Sequence, residues 1–549
     1  MKKVQHKAVT LYTLILLAVF PLFMVHTYYD IQEMKMYLYL YSTMVCTAVV
    51  LLCGFGRMIH DPAGPGAFLK TRLKAFRQFR AADLFALLFF VTIQISTFCS
   101  EWVYESFWGN MARFQGGFLW SWYIVTYFLV SRFYRPRKWH LDLFLAGGVI
   151  VCGWAVLDYF SLSPIGVGYE TLFSSTIGNI NILTAVEAMY VAAAAVVFLG
   201  EGTRTKQNRI RSLCALAASV ICFMGLECGR TANALLSAMF LLCFLPFFAF
   251  RNREGICRLP VLYGGFFGGM AVIAFLTAAF PEHAPTPDYW GELGTIGNRH
   301  GMEIGILALL FLACGIIFYL LAKKKASLPG GAVPDCFGLT AADRRMAKRL
   351  RMIWAVLGAA AFLAVVIIFY DANTGGHPEL YAPYAKFLIF DEKWGTDRGY
   401  VWRLALKYFR SFSPFKKLVG SGPETFSVYV LIYDLDATLR RFDLNYDSIH
   451  SEWIQHLFET GCLGFITYYG MNISCIVEGL RAKNSPAGGK TGNDPGMQED
   501  YHLIGAAFAY AVMVYLVQSF VNISVPIVLP LAMVCMSAAA AAGRIEERK

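Results

Sequence analysis

The sequence predicts an all-α, polytopic integral membrane protein with about 12–14 transmembrane helices and one long extracytoplasmic loop that contains short helices. Of its 549 residues, 57% are hydrophobic and only 15% are charged, whereas soluble domains carry about 25% charged residues. Apolar runs of roughly 20 residues recur along the chain, and each can cross the ~30 Å hydrocarbon layer. The basic residues behind the net charge of +11 lie mainly in connectors between these runs, which indicates membrane topology rather than nucleic-acid binding.

Fourteen apolar runs are candidate spans. The first is too long for the core of a signal peptide and no small-residue cleavage pattern follows it, so we expect it to remain as a helix. The 14 cysteines lie mostly within the runs and form no Cys-x-x-Cys pair, which favours small buried residues over a metal site. The predicted spans are at about 8–26, 37–56, 81–99, 117–131, 141–160, 179–200, 212–228, 233–250, 261–280, 302–322, 353–370, 452–478, 503–521 and 524–543.

The basic residues of the connectors predict the orientation. With the N-terminus inside, the inside connectors hold 34 of the 48 Lys and Arg residues, the loop 371–451 holds ten, and the short outside connectors hold four. This positive-inside pattern places both termini in the cytoplasm and the long loop outside. The loop also carries ten acidic residues, so individual positions rather than bulk charge must select a ligand.

The chain divides into four segments. Residues 1–175 form N-terminal spans, 176–370 form central spans, 371–451 form the extracytoplasmic loop, and 452–549 form C-terminal spans. Within the loop, we expect a helix from Asp397 to about Phe409 and a turn at 420–423, with Pro423 placed to start the next helix. Asp447 or Ser448 is expected to cap the twelfth span, with His450 in its first turn.

His450 is the first candidate for chemistry. Histidine can take and return a proton near neutral pH, and His450 lies where the polar loop meets a membrane helix, beside Ser448 and Ser451. The alternative is an interfacial histidine that a neighbouring polar group satisfies. Position alone does not decide between these two interpretations.

Two arginines are candidates for binding an anion. Arg398 opens the predicted loop helix, and its guanidinium matches phosphate oxygens; the alternative is a surface arginine paired with Asp397 or stacked on Trp402. Arg230 lies between two spans with almost no room for a loop, and a charge at membrane depth is a functional candidate. The alternatives are an ion pair with Glu227 or a side chain that reaches the interface.

Three predicted spans begin at polar residues on the outside. Asn179 and Asn181 open the sixth span, Thr231 lies at the start of the eighth, and residues 448–451 open the twelfth. Helix N-termini present free N–H groups and a positive dipole end, which suits phosphate. We therefore expect these ends to gather around one anionic group. A metal-binding role for Asp434 and Asp436 is weak, because it rests on a three-residue match.

The loop and its flanking spans resemble the O-antigen ligase and polymerase superfamily, most convincingly over residues 175–470. The resemblance rests on the order and spacing of several short pieces. They are Arg398 with Trp402, then Gly420 and Gly422 before Phe426, then His450, Glu459, Gly461 and Gly464, together with CGRTANALLSAMF around Arg230 and GNIN at 178–181. The sequence departs from the family where Ser451 follows the histidine in place of the frequent Asn, where Gly229 precedes Arg230, and where Ile180 separates the two asparagines.

The resemblance implies a metal-independent, inverting glycosyltransferase without a cofactor. The donor would be a glycan on a polyprenyl (undecaprenyl-type) diphosphate, and the acceptor a hydroxyl of a glycan, lipid or wall polymer at the outer face of the cytoplasmic membrane. His450 would be the general base, with Arg398 and Arg230 holding the diphosphate. The implied substrate-binding residues are Trp402, Arg403, Asn179, Asn181, Gly420, Gly422 and Ser451.

Two alternatives to a ligase remain open from the sequence. A repeat-unit polymerase of the same superfamily would share the same signature. A transporter or flippase of lipid-linked glycan would carry functional charges along a path at mid-membrane depth. In this sequence the polar candidates gather at one predicted surface, which favours an enzyme.

Overall fold

The computed structural model shows a helical bundle with a helical loop at one end. It describes residues 1–66, 70, 79–110, 113–165, 174–202, 205–229, 231–287, 290–326, 341–376, 378–442, 446–483 and 500–545. In chain order the helices are α1 Lys2–Leu14, α2 Ile31–Ile59, α3 Ala81–Phe98, α4 Val103–Trp108, α5 Gly117–Phe133, α6 Lys138–Tyr159, α7 Ile180–Gly200, α8 Lys206–Cys228, α9 Ala232–Ala249, α10 Arg253–Ala279, α11 Glu292–Arg299, α12 Gly301–Ala326, α13 Ala341–Thr374, α14 Ala385–Leu388, α15 Trp394–Ser411, α16 Pro414–Val419, α17 Phe426–Tyr433, α18 Leu435–Phe442, α19 Glu452–Leu480, α20 Tyr501–Gln518 and α21 Leu529–Gly543.

The all-α, multi-span prediction is confirmed. Within the described residues, twelve helices are long and apolar enough to cross a membrane: α1 with its extension to Leu22, α2, α3, α6 to α10, α12, α13, α19, and α20 with its extension to Val521. The predicted spans at 117–131 and 524–543 are present as the shorter helices α5 and α21. The long loop contains the short helices α14 to α18 and a 3-10 turn at Pro378–Tyr384.

Helix α7 is the centre of the bundle. The apolar window of α7 is entirely buried inside the protein, and α8, α9 and α20 pack around it. Its run of four alanines at 192–195 allows neighbouring helices to approach closely, as small residues do in membrane bundles. In contrast, the apolar windows of α12 and α13 are only 17% and 0% buried, so their surfaces are left for lipid or another partner.

A buried ionic cluster joins α3, α5, α19 and the chain after α21, at the end of the bundle opposite the long loop. Asp83 forms ion pairs with Arg132 and Arg544 at 2.7 and 2.9 Å. Arg544 also pairs with Glu478 at 2.7 Å. Because each buried charge has an opposite partner, the cluster avoids the large cost of an isolated buried ion. It fixes the lower half of α19, whose upper half carries the candidate site.

Helix α19 breaks at Gly461, and the long loop docks into the break. Gly461 has φ 67° and ψ −173°, a conformation essentially restricted to glycine. The break frees the carbonyl groups of Phe458 and Glu459 from their helical partners. The N–H groups of Ser421 and Gly422 donate to these two carbonyls at 3.1 and 3.0 Å, and the Ser96 hydroxyl also donates to the Glu459 carbonyl at 2.6 Å.

Gly461→Ala should therefore loosen the loop from the bundle. The new Cβ would lie against the Leu418 carbonyl and only 2.6 Å from the Gly420 nitrogen, and the backbone conformation alone costs about 1–3 kcal/mol for a residue with a side chain. We expect a lower melting temperature in detergent. Gly153→Ala is the matched control, because a Cβ there meets no atom within 4 Å; equal melting temperatures for the two variants would contradict the docking role.

Candidate active site

His450 lies in a strained turn directly before α19. Its φ is +55°, which is uncommon for a residue with a side chain and tends to occur at functional sites. The His450 Nδ1 lies 3.1 Å from the Ser448 carbonyl oxygen. A carbonyl only accepts, so Nδ1 carries the proton and Nε2 keeps the lone pair of the neutral ring. The local backbone therefore selects the tautomer that a general base needs.

The electrostatic surroundings keep His450 neutral. Burial lowers the pKa of the imidazole below its ordinary value, and the positive charges of Arg113 and Arg398 lower that pKa further. Asp447 and the bond to Ser448 oppose the shift. Both guanidinium charges therefore oppose protonation of the ring. This arrangement favours an unprotonated base near neutral pH.

Trp402 supports the histidine turn from below. Its indole Nε1–H donates to the Ile449 carbonyl at 3.0 Å, and its side chain is buried against Trp394 and Phe520, with ring centroids 5.3 and 5.4 Å away. A buried tryptophan needs a partner for its N–H, and here that partner is the residue before His450. The structure thus places Trp402 under the turn, as a positioning residue.

Arg113 joins the site from the connector between α4 and α5. Its Nη2 forms an ion pair with Asp447 at 2.6 Å, and its Nε donates to the other carboxylate oxygen at 3.3 Å. This bidentate pair holds the chain three residues before His450. The third nitrogen, Nη1, is buried and has no hydrogen-bond partner among the described residues. Arg113 therefore has a donor to spare for a ligand.

Arg398 is a second cation with a spare donor, and its side chain is half-buried. Its Nη1 donates to the Gly395 carbonyl, while its Nε is buried without a partner in the described part of the chain. Burial lowers the pKa of the guanidinium, and the charge of Glu292 opposes that shift. A buried polar group without a partner is costly. The geometry therefore suits an anionic ligand that accepts hydrogen bonds from the unpaired N–H groups of both arginines.

Glu424 and Glu459 form the acidic side of the cluster. Asn110 donates to Glu424 Oε2 at 2.7 Å, and the Glu424 N–H donates to the Glu459 carboxyl group. Gln455 also donates to Glu459, at 3.1 Å. Burial raises the pKa of Glu424 to about 7, although the nearby Arg113 opposes the shift. Glu424 thus titrates near neutral pH beside the histidine turn.

The N-terminal ends of α7, α9 and α19 lie together, as the sequence predicted. Asn522 donates from Nδ2 to the Asn181 carbonyl at 2.8 Å and accepts from the Glu452 N–H at 2.8 Å. Asn233, in the first turn of α9, donates to the same Asn181 carbonyl at 3.3 Å. Asn179 caps α7 through its side-chain oxygen. The positive dipole ends of these three helices therefore lie together around Asn522.

Comparison with known proteins supports the resemblance seen in the sequence. Residues 301–469 match the model of the O-antigen ligase family. The match lies on a chain with twelve helices that are long and apolar enough to cross a membrane within the described residues. Both findings agree with a membrane protein similar to the O-antigen ligase and polymerase superfamily. No curated protein matches the chain significantly.

The O-antigen ligase match covers His450, Arg398, Trp402, Gly420 and Gly422. It leaves out Arg113, Asn179, Asn181 and Arg230, which lie before residue 301. The structure nonetheless brings the first three of these to the loop side of the bundle, through the contacts described above. Arg230 lies outside the described residues; its neighbour Thr231 contacts Thr184 of α7 at 3.1 Å.

Several predicted site residues have structural contacts within the protein. Ser451 is buried and caps α19 by accepting from the Ile454 N–H at 3.4 Å. Arg403 is exposed, donates to the Phe390 carbonyl and lies 5.1 Å over the Phe390 ring. Gly420 and Gly422 form the docking turn on α19. These contacts define where the residues lie. That the same residues bind substrate stays a prediction.

Three local predictions about the loop are wrong. The cap of α19 is Ser451 rather than Asp447 or Ser448, so His450 precedes the helix instead of lying in its first turn; Asp447 is held by Arg113 and is not available as a cap. Asp397 lies in a left-handed stretch at 395–397 instead of capping α15. Pro423 stays in the turn, and α17 begins only at Phe426.

Sequence reasoning missed Arg113, Glu424 and Asp447 as site residues. A signal existed for Arg113, because it is one of four basic residues in the short connectors predicted to lie outside. Glu424 directly follows the glycine turn. Among the described residues, no group of three or more His, Cys, Asp or Glu side chains could hold a metal ion, and Asp434 accepts from Lys407 and Tyr408.

The raised pKa of Glu424 predicts a pH-dependent stability. Between an ordinary pKa of about 4.3 and the native value of about 7, the folded state keeps a proton that the unfolded chain has lost. The free energy of unfolding therefore falls as pH rises through this window. Glu424→Gln fixes a neutral group, and its melting temperature should fall less between pH 5 and 8 than that of the wild type.

The matched control for Glu424→Gln is Glu392→Gln. Glu392 lies in the same loop but is exposed and paired with Arg441. Its variant should follow the wild-type pH profile in thermal unfolding measurements. Parallel profiles for Glu424→Gln and the wild type would show that Glu424 is ionised in the folded protein throughout.

Proposed function

We propose that this protein transfers a glycan from a polyprenyl (undecaprenyl-type) diphosphate to an acceptor hydroxyl. The reaction would take place at the extracytoplasmic face of the cytoplasmic membrane, with both termini in the cytoplasm. The family supports the ligase or polymerase class, and lipid-linked glycans are the substrates that class implies. The observation that carries the proposal is a histidine whose Nδ1 proton is fixed by the Ser448 carbonyl, with two arginines whose charges lower its pKa. Each of these arginines has a buried N–H without a partner among the described residues.

His450 is the proposed general base. The acceptor O–H gives its proton to Nε2, and the acceptor oxygen forms a bond to the anomeric carbon of the donor sugar. The bond between that carbon and the phosphate oxygen breaks, and its electron pair leaves on the polyprenyl diphosphate. One displacement of this kind inverts the anomeric centre.

Arg398 and Arg113 are the proposed cations for the leaving diphosphate, together with Arg230. The unpaired N–H groups of Arg398 and Arg113 are buried, and donors fixed in such a site stabilise charge that develops in the transition state. The helix ends at Asn179, Asn181 and Ser451 add N–H groups with the same polarity. No metal or cofactor enters this proposal.

One assay separates the candidate activities. Purified protein is mixed with a synthetic polyprenyl-diphosphate glycan, without ATP, and the products are resolved by size and by mass. Transfer to a different acceptor indicates a ligase, and longer chains on the carrier lipid indicate a repeat-unit polymerase. Movement of the lipid across vesicles with no new glycosidic bond would contradict the proposal and support a flippase.

His450→Ala should lower kcat about 10²–10⁴-fold, the usual contribution of a positioned acid or base. The variant should still insert and unfold like the wild type, because the lost ring leaves the Trp402 and Ser451 contacts in place. His283→Ala, at an exposed histidine of another connector, is the control and should keep full activity. Full activity of His450→Ala would rule out the base assignment.

Arg398→Lys tests recognition by a forked donor. Lysine keeps the charge but loses the planar guanidinium, and a hydrogen bond to a charged group is worth about 1.5–3 kcal/mol. We expect kcat/KM for the lipid-diphosphate donor to fall about 10–100-fold. Arg441→Lys, at an exposed ion pair in the same loop, should change little. Equal activity of both variants would remove Arg398 from the diphosphate site.

A further inference from the structure

A cavity lies in the loop, and His450 is not among the residues that line it. It has a volume of about 520 Å³ and is lined by α15, α16, α17 and Glu101, within the size range of small-ligand sites. The mechanism proposed above uses none of its lining residues. It is therefore a separate place where a ligand could bind.

Tyrosine rings form one wall of the cavity. Tyr429 and Tyr433 lie one turn apart on α17 with ring centroids 5.7 Å apart, and Tyr408 of α15 lies 5.3 and 6.3 Å from them. Tyr408 and Tyr429 are buried, whereas Tyr433 is 59% exposed. Trp102 packs edge-on against Tyr429 at 4.9 Å and holds it in place. The result is a fixed aromatic surface with one accessible ring.

The charged groups of the cavity are already paired. Lys407 forms an ion pair with Asp434 at 3.2 Å, and Lys416 pairs with Glu101 at 2.7 Å. Lys416 also donates to the Tyr429 hydroxyl at 2.6 Å. The lining therefore carries balanced charge, which favours a neutral ligand over a phosphate.

A sugar matches both the tyrosine rings and the paired charged groups of the cavity lining. Its hydroxyl groups both donate and accept, so they match the lysines, carboxylates and serines at the rim. Its carbon-bound hydrogens form apolar faces that can pack on the flat, polarisable tyrosine rings, which combine apolar area with a polar tip. A purely apolar ligand would leave the two ion pairs without hydrogen-bonding partners on one side.

The cavity and the histidine site are separated along α15. Nine residues separate Arg398 from Lys407, which corresponds to two and a half turns and about 14 Å. The two side chains therefore lie on opposite faces of the helix. A ligand that contacts both must consist of several linked units.

We propose that this cavity binds a neutral sugar of the glycan chain at a distance from its reacting end. The identity of that chain rests on the proposed function, whereas the sugar-binding property does not. The bound sugar belongs to the donor chain or to a glycan acceptor, because both offer the same chemistry. Binding there would favour long chains over a single repeat unit.

The first test measures binding without turnover. The full-length His450→Ala protein in detergent is titrated with oligosaccharides of one and of three or more repeat units, released by mild acid from the carrier lipid of the source cells. Fragments of the mature envelope glycan form the second arm. We expect the longer chains to bind in at least one arm, and the arm that binds identifies the source. Absence of binding in both arms overturns the proposal.

Tyr433→Ala in the same background should weaken binding of the longer chains about 10-fold, a change of about 1.4 kcal/mol, because the variant loses the accessible ring of the tyrosine wall. Tyr433→Phe keeps the ring and should bind like the parent. Phe415→Ala removes an aromatic ring of similar exposure, 57%, from α16 outside the cavity lining. Equal loss for Tyr433→Ala and Phe415→Ala, or no loss for either, overturns the assignment.

The second test separates this cavity from the proposed reaction. In the otherwise wild-type protein, Tyr433→Ala should raise KM for long glycans about 10-fold, with kcat and the KM for a single repeat unit unchanged. If binding depends on Tyr433 but the protein with His450 intact transfers no glycan, the sugar site in the cavity is supported and the proposed reaction is rejected. Transfer with an unchanged KM in Tyr433→Ala would reject the cavity and keep the reaction.

Discussion

The hydrogen bonds between the loop and the broken helix α19 are the constraint on which the site depends. Carbonyl groups freed at a helix break inside a membrane bundle cannot turn to water, and each one left alone costs several kcal/mol. The N–H groups of Ser421 and Gly422 satisfy them. The same contact brings Glu424 against Glu459 and the His450 turn. The spaced glycines thus bring a polar loop to a membrane helix. Part of the glycine pattern on which the sequence resemblance rests therefore has a structural role, which is to dock the loop on α19.

The site combines a strained backbone with an excess of buried cations. The His450 turn is held by Trp402 below, by the Arg113–Asp447 pair before it, and by the Ser451 cap after it. Supports on three sides can maintain a left-handed residue that would otherwise relax. The cations that keep the imidazole neutral are also those with donors to spare. In the proposed mechanism, one arrangement of charge therefore keeps the histidine unprotonated and supplies donors for the diphosphate.

The sequence was sufficient for the spans and the helical loop, because hydrophobic length and loop polarity are local properties. It also singled out His450, whose catalytic role stays a prediction. Contacts between segments far apart in the chain could not be predicted from the sequence. Arg113 meets Asp447 across more than 300 residues, and its only local signal was that it is a basic residue in a short connector predicted to lie outside. Lys35 had the same signal, yet it is buried and donates to the carbonyls of Phe20 and Pro21. The position of a basic residue in the sequence therefore could not distinguish a cation in the candidate site from one that only makes structural hydrogen bonds. The cap of α19 was mispredicted for a similar reason, because Asp447 has a distant partner.

Asn522 has a consequence for the order in which the protein matures. It joins the start of α7 to the start of α19, and it lies 341 positions after its partner Asn181. Helix α7 is made more than 300 residues earlier, which corresponds to roughly 15–60 s of synthesis at ~5–20 residues per second. Throughout that interval the cluster of helix ends stays open, and the central helix lacks the cover of α20. The cluster of helix ends at α7, α9 and α19 is therefore completed only after α20 has been made, and a chain that stops before Asn522 lacks this contact.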